Sequence, residues 1–192
     1  MSRKLIYVHI IHTSQDMGSL MEKVRKAYID RYGEEQWDRH LKEVDGLWSK
    51  TVEKVRSLKL DHGKVRLYQD GMPICDRETE IVNKLAADGN TNHQLLLELI
   101  EKGAIMMGTE DPALLIKERD RLLNSQEKKE QLYDDLMEQR DEYIAERIAA
   151  TLKDGETGIL FMGALHQIAD KLPGDVEIQF LFGEKITPEN EK

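Results

Sequence analysis

Arg140-Asp141-Glu142-Tyr143-Ile144-Ala145-Glu146-Arg147-Ile148 and, shortly after it, Ile159-Leu160-Phe161-Met162-Gly163-Ala164-Leu165-His166 decide how this chain is read. The first segment belongs to a long amphipathic helix running from about residue 125 to 152, with Leu132, Leu136, Ile144, Ile148 and Leu152 on one side and charges on the other. The second begins as an uninterrupted apolar run, the pattern of a strand covered on both faces. A buried strand entered from a long helix is half of a parallel crossover unit. Two residues are out of place in it. Arg140 lies four residues from both Leu136 and Ile144, so it points along the apolar stripe. His166 stands just past the strand, where burial alone favours a hydrophobe.

Working outward, Lys4 to Ile11 (KLIYVHII) is a second strand of the buried type. Thr13-Ser14-Gln15-Asp16 offers a capping box that opens a helix through Leu20, Val24, Ala27 and Tyr28, ended by Gly33. Trp37, Leu41, Val44, Trp48, Val52 and Val55 mark the next helix, and the pair forms a long helical hairpin over about residues 14–60. Lys64 to Gln69 alternates like an edge or half-exposed strand and turns at Asp70-Gly71. Thr91 to Gln94 is a second capping box with Thr91 as N-cap, Ala104 to Met107 a short buried strand, and Asp111-Pro112 a helix start. Val176 to Phe182 alternates as a last strand after Pro173-Gly174, with an antiparallel edge course open to it.

Strands separated by helices give an α/β fold: a three-layer sandwich with a mostly parallel central sheet and long helices. Length sets one domain, residues 1–186, followed by a polar tail at 187–192. Apolar residues make up 40% and charged residues 34%, an ordinary balance for a water-soluble chain. The net charge of -9, with no Lys/Arg cluster against it, opposes nucleic-acid binding. No apolar run reaches membrane length, no signal h-region occurs and the single Cys75 has no disulfide partner, so a cytoplasmic protein without membrane attachment is expected.

Ligands of open α/β sheets bind beyond the carboxyl ends of the strands. The residues found there are His12-Thr13, Asp70, Thr109-Glu110-Asp111 and Gly163 to His166. His9 and His12 are three apart, so in a regular strand they face opposite sides; His9 reads as an interior histidine and His12 as a residue of the strand exit. Glu110 can act as a base or a metal ligand, or can simply be solvated beside the helix-capping Asp111. Arg140 requires an anionic partner, with Glu110, Asp16 or a substrate anion as the choices. Arg147, nearer the stripe edge, reads as a surface residue pairing with Tyr143 or Glu146. Gly163 permits a sharp turn that folds the His166 imidazole back over the sheet, or His166 caps the following helical turn. No P-loop, GxGxxG, GxSxG or HExxH occurs, which removes support for phosphoryl transfer, dinucleotide binding, triad hydrolysis and zincin proteolysis.

These motifs and their order resemble the superfamily that joins TraB proteins, Tiki metalloproteases, erythromycin esterases and ChaN-type haem-uptake proteins. The counterparts are His9 to His12 (HIIH), Gly108-Thr109-Glu110, Arg140-Asp141 and Gly163 to His166 (GALH). In the first of these His9 stands where the family has Gly. The resemblance implies a metal-dependent hydrolase acting on a small-molecule or peptide substrate. It further implies a divalent metal held by His12, His166 and Glu110, catalysis by Glu110 and His166, and substrate binding by Arg140 and Thr13. The alternatives are a non-enzymatic module that binds a small anion or forms a homodimer through its helices, and a degenerate member that keeps the fold without the chemistry.

Overall fold

The computed structural model describes residues 2–11, 21–124 and 130–183. In chain order these are strand β1 (Arg3–Ile10), helices α1 (Met21–Tyr32) and α2 (Glu34–Arg56), strand β2 (Val65–Gln69), helices α3 (Glu78–Ala87) and α4 (Thr91–Glu101), strand β3 (Ile105–Met106), helices α5 (Pro112–Asn124) and α6 (Glu130–Thr151), and strands β4 (Thr157–Gly163) and β5 (Val176–Phe180). The strands form one sheet in the order β3-β2-β4-β1-β5. Every pairing is parallel, with Ile6 opposite Ile159 and Gln69 opposite Phe161.

The buried runs of β1 and β4 take the centre, as their composition predicts, because a central parallel strand must be apolar on both faces. Alternate residues enter two cores. Ile6, Val8, Ile10, Leu67, Ile159 and Phe161 pack with Val44, Trp48 and Val55 of α2, Val82 of α3 and Leu95, Leu96 and Leu99 of α4. Leu5, Tyr7, Tyr68, Leu160 and Met162 pack with Ile144, Ala145, Ile148 and Leu152 of α6 and with Ile168. At roughly 1.5 to 3 kcal/mol for each fully buried large side chain, the two cores dominate the folding energy.

Four expectations are corrected. The last strand is not antiparallel: β5 pairs parallel with β1, Tyr7 opposite Phe180. Residues 164–175 are long enough for a crossover, and they return through a 3-10 turn at Ile168–Lys171 whose Ile168 is buried against α6. β2 is an interior strand flanked by β3 and β4, and its polar residues are there because each has a partner. Arg66 donates to Glu156 at 2.6 and 3.0 Å, and Gln69 accepts from Asn92 Nδ2 at 2.8 Å. β3 shrinks to two residues at the sheet edge, with Ile105 44% exposed. Helix α4 is capped by Asn90, whose side chain accepts from His93 N, one residue before the expected Thr91.

Gly33, at φ 87°, separates α1 from α2. Helix α1 buries no residue, and Tyr28 holds it to α2 by ring contacts with Trp37 at 5.3 Å and His40 at 5.4 Å. Among the described residues no helix is long and apolar enough to cross a membrane.

Candidate functional site

The carboxyl ends of β2 and β4 and the middle of α6 converge on five ionisable side chains: Asp70, Glu110, Arg140, Asp141 and His166. All are buried, with Glu110 at 1% and Asp141 at 2% exposure. Backbone geometry brings them in. β2 ends at Gln69, Asp70 N donates to Phe161 O at 2.9 Å, and Gly71 turns the chain at φ 75°. The segment after β3 runs beside that turn, with Thr109 N and Glu110 N both donating to Met72 O at 3.0 Å and Ile74 N donating to Glu110 O. This approach explains Gly108, because a Cβ there would sit 2.6 Å from Ile74 Cα. Asp111 accepts from Ala113 N at 2.7 Å and so caps α5, which leaves Glu110 free to point inward.

Glu110 and Arg140 form a two-pronged ion pair. Arg140 Nε donates to Oε2 at 2.7 Å and Nη2 to Oε1 at 3.0 Å, while Gly71 N donates to Oε1 at 2.6 Å. Arg140 Nη2 also donates to Asp70 Oδ1 at 3.1 Å. Of the partners open to Arg140 in the sequence, Asp16 lies outside the described residues; the structure supplies Glu110, and adds Asp70. Burial works against the guanidinium charge, but the Glu110 bonds and the charges of Glu110 and Asp70 outweigh it, so Arg140 holds its proton more firmly than free arginine. Burial pushes the Glu110 carboxyl above the usual range, opposed by Arg140.

Asp141 and His166 form the second half of the cluster. His166 Nδ1 is bonded to Asp141 Oδ1, and Asp141 Oδ2 accepts from Gln167 N at 2.7 Å. A carboxylate on Nδ1 favours the tautomer with its proton there, leaving Nε2 as acceptor. Nε2 faces Asp70 Oδ2 at 3.7 Å, and that oxygen also accepts from Gly163 N at 3.1 Å. Burial lowers the proton affinity of His166, but the Asp141 bond and the charges of Asp70 and Asp141 more than reverse this, and its pKa is raised. Three carboxylates against one permanent cation make a site that favours a further positive charge.

The structure thus brings Glu110, Arg140 and His166 together, with Asp70 as the link. His12 and Thr13 lie outside the described residues. Arg147 is not a surface pair: its Nε donates to Gly108 O at 3.0 Å, tying α6 to the segment that carries Glu110. Two members were missed as site residues. Asp70 was visible as a strand exit, and Asp141 precedes Ala145, Ile148 and Leu152 at helical spacing, so its place on the buried stripe was present in the periodicity.

As for a metal, the described residues contain no ready-made cluster of ligands. Glu110 does not fit as a ligand, since each of its oxygens already accepts from Arg140 and a cation would lie against the guanidinium. His166 Nε2 and Asp70 Oδ2 do fit as a pair: they stand 3.7 Å apart, within reach of one shared ion.

Residues 10–174 match the TraB/PrgY/gumN family, and the chain belongs to that family. No curated protein and no solved structure matches it.

Proposed function

We propose that the chain is a hydrolase in which His166, oriented by Asp141, moves the proton at the carboxyl edge of the sheet. The observation that carries this reading is the Asp141–His166 contact with Nε2 left toward Asp70. In that arrangement Nε2 takes a proton from the attacking water, the resulting imidazolium is stabilised by Asp141 and Asp70, and the same proton passes to the leaving group. A small-molecule or peptide substrate suits the reading. Small-anion binding is disfavoured, because the carboxylates exceed the fixed cation in the cluster.

Metal assistance is a second reading, and it has its own observation. A ligating histidine usually gives its other ring N–H to a carboxylate, as His166 does to Asp141. His166 and Asp70 would hold the ion, and a bound divalent ion would supply water activated near neutral pH. The two residues fall short of the three protein ligands usual at catalytic zinc, so the acid–base reading stands first.

The test is hydrolysis of a panel of esters, amides and short peptides by the wild type and by His166→Asn, with folding checked by circular dichroism. Activity abolished in the variant is expected; no hydrolysis by the wild type, or equal hydrolysis by both, removes the hydrolase reading. Metal content of protein purified without chelator separates the two mechanisms. Stoichiometric metal lost in both Asp70→Asn and His166→Asn supports the second, and unchanged content in both removes it.

A further inference from the structure

The ladder between β2 and β3 ends on a side chain. Met107 N donates to Leu67 O at 2.9 Å, and in a regular parallel ladder the next rung would run from Gln69 N back to Met107 O. That rung is opened. Gln69 N donates to Thr109 Oγ1 at 3.0 Å and Thr109 Oγ1 donates to Met107 O at 3.3 Å, so one hydroxyl stands between the backbone donor and its acceptor. A hydroxyl can do this because it accepts and donates at once. Thr109 is 0% exposed, and without its hydroxyl the Gln69 N–H would be buried unpaired or would have to close on Met107 O directly.

The inserted hydroxyl decides where the charged cluster can form. In a continued ladder Thr109 N would make the following rung to Gln69 O. Here Thr109 N donates to Met72 O instead, and Gln69 O accepts from Met72 N at 3.2 Å, which closes the turn through Asp70 and Gly71. That turn brings Asp70 Oδ1 to Arg140 Nη2 and Gly71 N to Glu110 Oε1. Gln69 has little freedom to make up for a lost hydroxyl, because its Oε1 accepts from Asn92 Nδ2 at 2.8 Å and its Nε2 donates to Asp70 O at 3.3 Å. Local breaks in strand pairing of this kind re-aim the side chains that follow them.

We infer that Thr109 is a positioning residue: its hydroxyl holds the end of the β2–β3 ladder open, and so sets Asp70 and Glu110 against Arg140 and keeps Asp70 facing His166. The hydroxyl bonds two backbone groups and acts through the backbone it shapes. The inference deepens the hydrolase reading and rests on it for any effect on turnover; the placement of the cluster does not require turnover.

Hydrogen exchange of the full chain, followed by nuclear magnetic resonance, tests it. The Gly71 N–H and the Arg140 Nε–H both end on Glu110 and report the cluster, while the amide of Ile159 in the central strand β4 reports global stability. In Thr109→Val the two cluster protons are expected to exchange at least about ten-fold faster relative to Ile159 than in the wild type. Thr109→Ser, which keeps the hydroxyl, is expected to hold the wild-type ratio. Equal acceleration at all three sites makes Thr109 a plain structural anchor and overturns the inference, as does no acceleration in Thr109→Val or the same loss in Thr109→Ser. Should Thr109→Val fail to fold, Thr109→Ala is read by the same ratio. Where the wild type hydrolyses a substrate, Thr109→Val should lower kcat at least about ten-fold, and an unchanged kcat overturns the inference while the hydrolase reading stands. A shifted exchange ratio in a protein that hydrolyses nothing supports the positioning role, and the hydrolase reading alone falls.

Discussion

Arg140 and Asp141 are adjacent on α6, yet they serve two halves of the cluster that differ in kind. Arg140 is locked: Glu110 takes two of its donors, Asp70 shares one, and Gly71 completes the Glu110 carboxylate. Asp141 is bonded as fully, but to an imidazole whose second nitrogen is left facing Asp70 at 3.7 Å. A buried charge whose partners satisfy it builds a scaffold; a buried titratable group with one end in reserve can exchange a proton. The first half fixes where the chain crosses, and the second half is where chemistry can occur.

The largest effect should come from breaking the locked half. Arg140→Ala leaves Glu110 and Asp70 uncompensated and should cost about 3 to 5 kcal/mol in urea unfolding. Replacing both partners, as Arg140→Met with Glu110→Leu, should cost clearly less than the single change. A single-variant loss below about 1 kcal/mol would erase the distinction between the halves.

Next in size is Asp141→Asn, which keeps the shape of the second half and removes its charge. It should cost about 1.5 to 3 kcal/mol of stability, and it should reduce the proposed hydrolysis on the order of 10- to 100-fold. Full activity in this variant would mean that His166 needs no orienting partner.

A smaller effect is pH-dependent. His166 binds its proton more tightly folded than unfolded, so its contribution is fully present below the unfolded value of about 6.5 and is lost as pH rises through the raised folded value. Urea midpoints of wild type and His166→Gln, measured from pH 5 upward, should therefore differ most at the acid end and converge as pH rises. A difference that grows with pH would reverse the sign assigned to His166. Smallest is Asn90→Ala, which removes the α4 cap far from both halves and should cost about 1 kcal/mol without changing that pH trend.

Much of the fold was legible because it rests on repeating local patterns. KLIYVHII and GILFM are strands in the sequence and central strands in the sheet, and the stripe from Leu136 to Leu152 faces the core. The errors fell where pattern is ambiguous. VRLYQ alternates like an edge strand, yet its polar residues are paid for by Glu156 and Asn92, distant partners that no window of sequence contains. VEIQF alternates equally well in either direction, and only the length of its connection and its pairing with β1 set it parallel.

Of the candidate site, Arg140 and His166 were visible as polar residues in apolar positions, and Glu110 as a residue at a strand exit. The sequence alone determined that Arg140 lies on the buried stripe of its helix, because helical periodicity assigns a side to every residue; it put polar residues at the strand exits but left open whether Glu110 is buried or solvated. It could not determine which charge answers which. That choice depends on contacts between residues 25 to 93 apart in the chain, and only the packing of α6 across β2 and β4 makes Arg140 a strut for Glu110 and Asp141 the partner of His166.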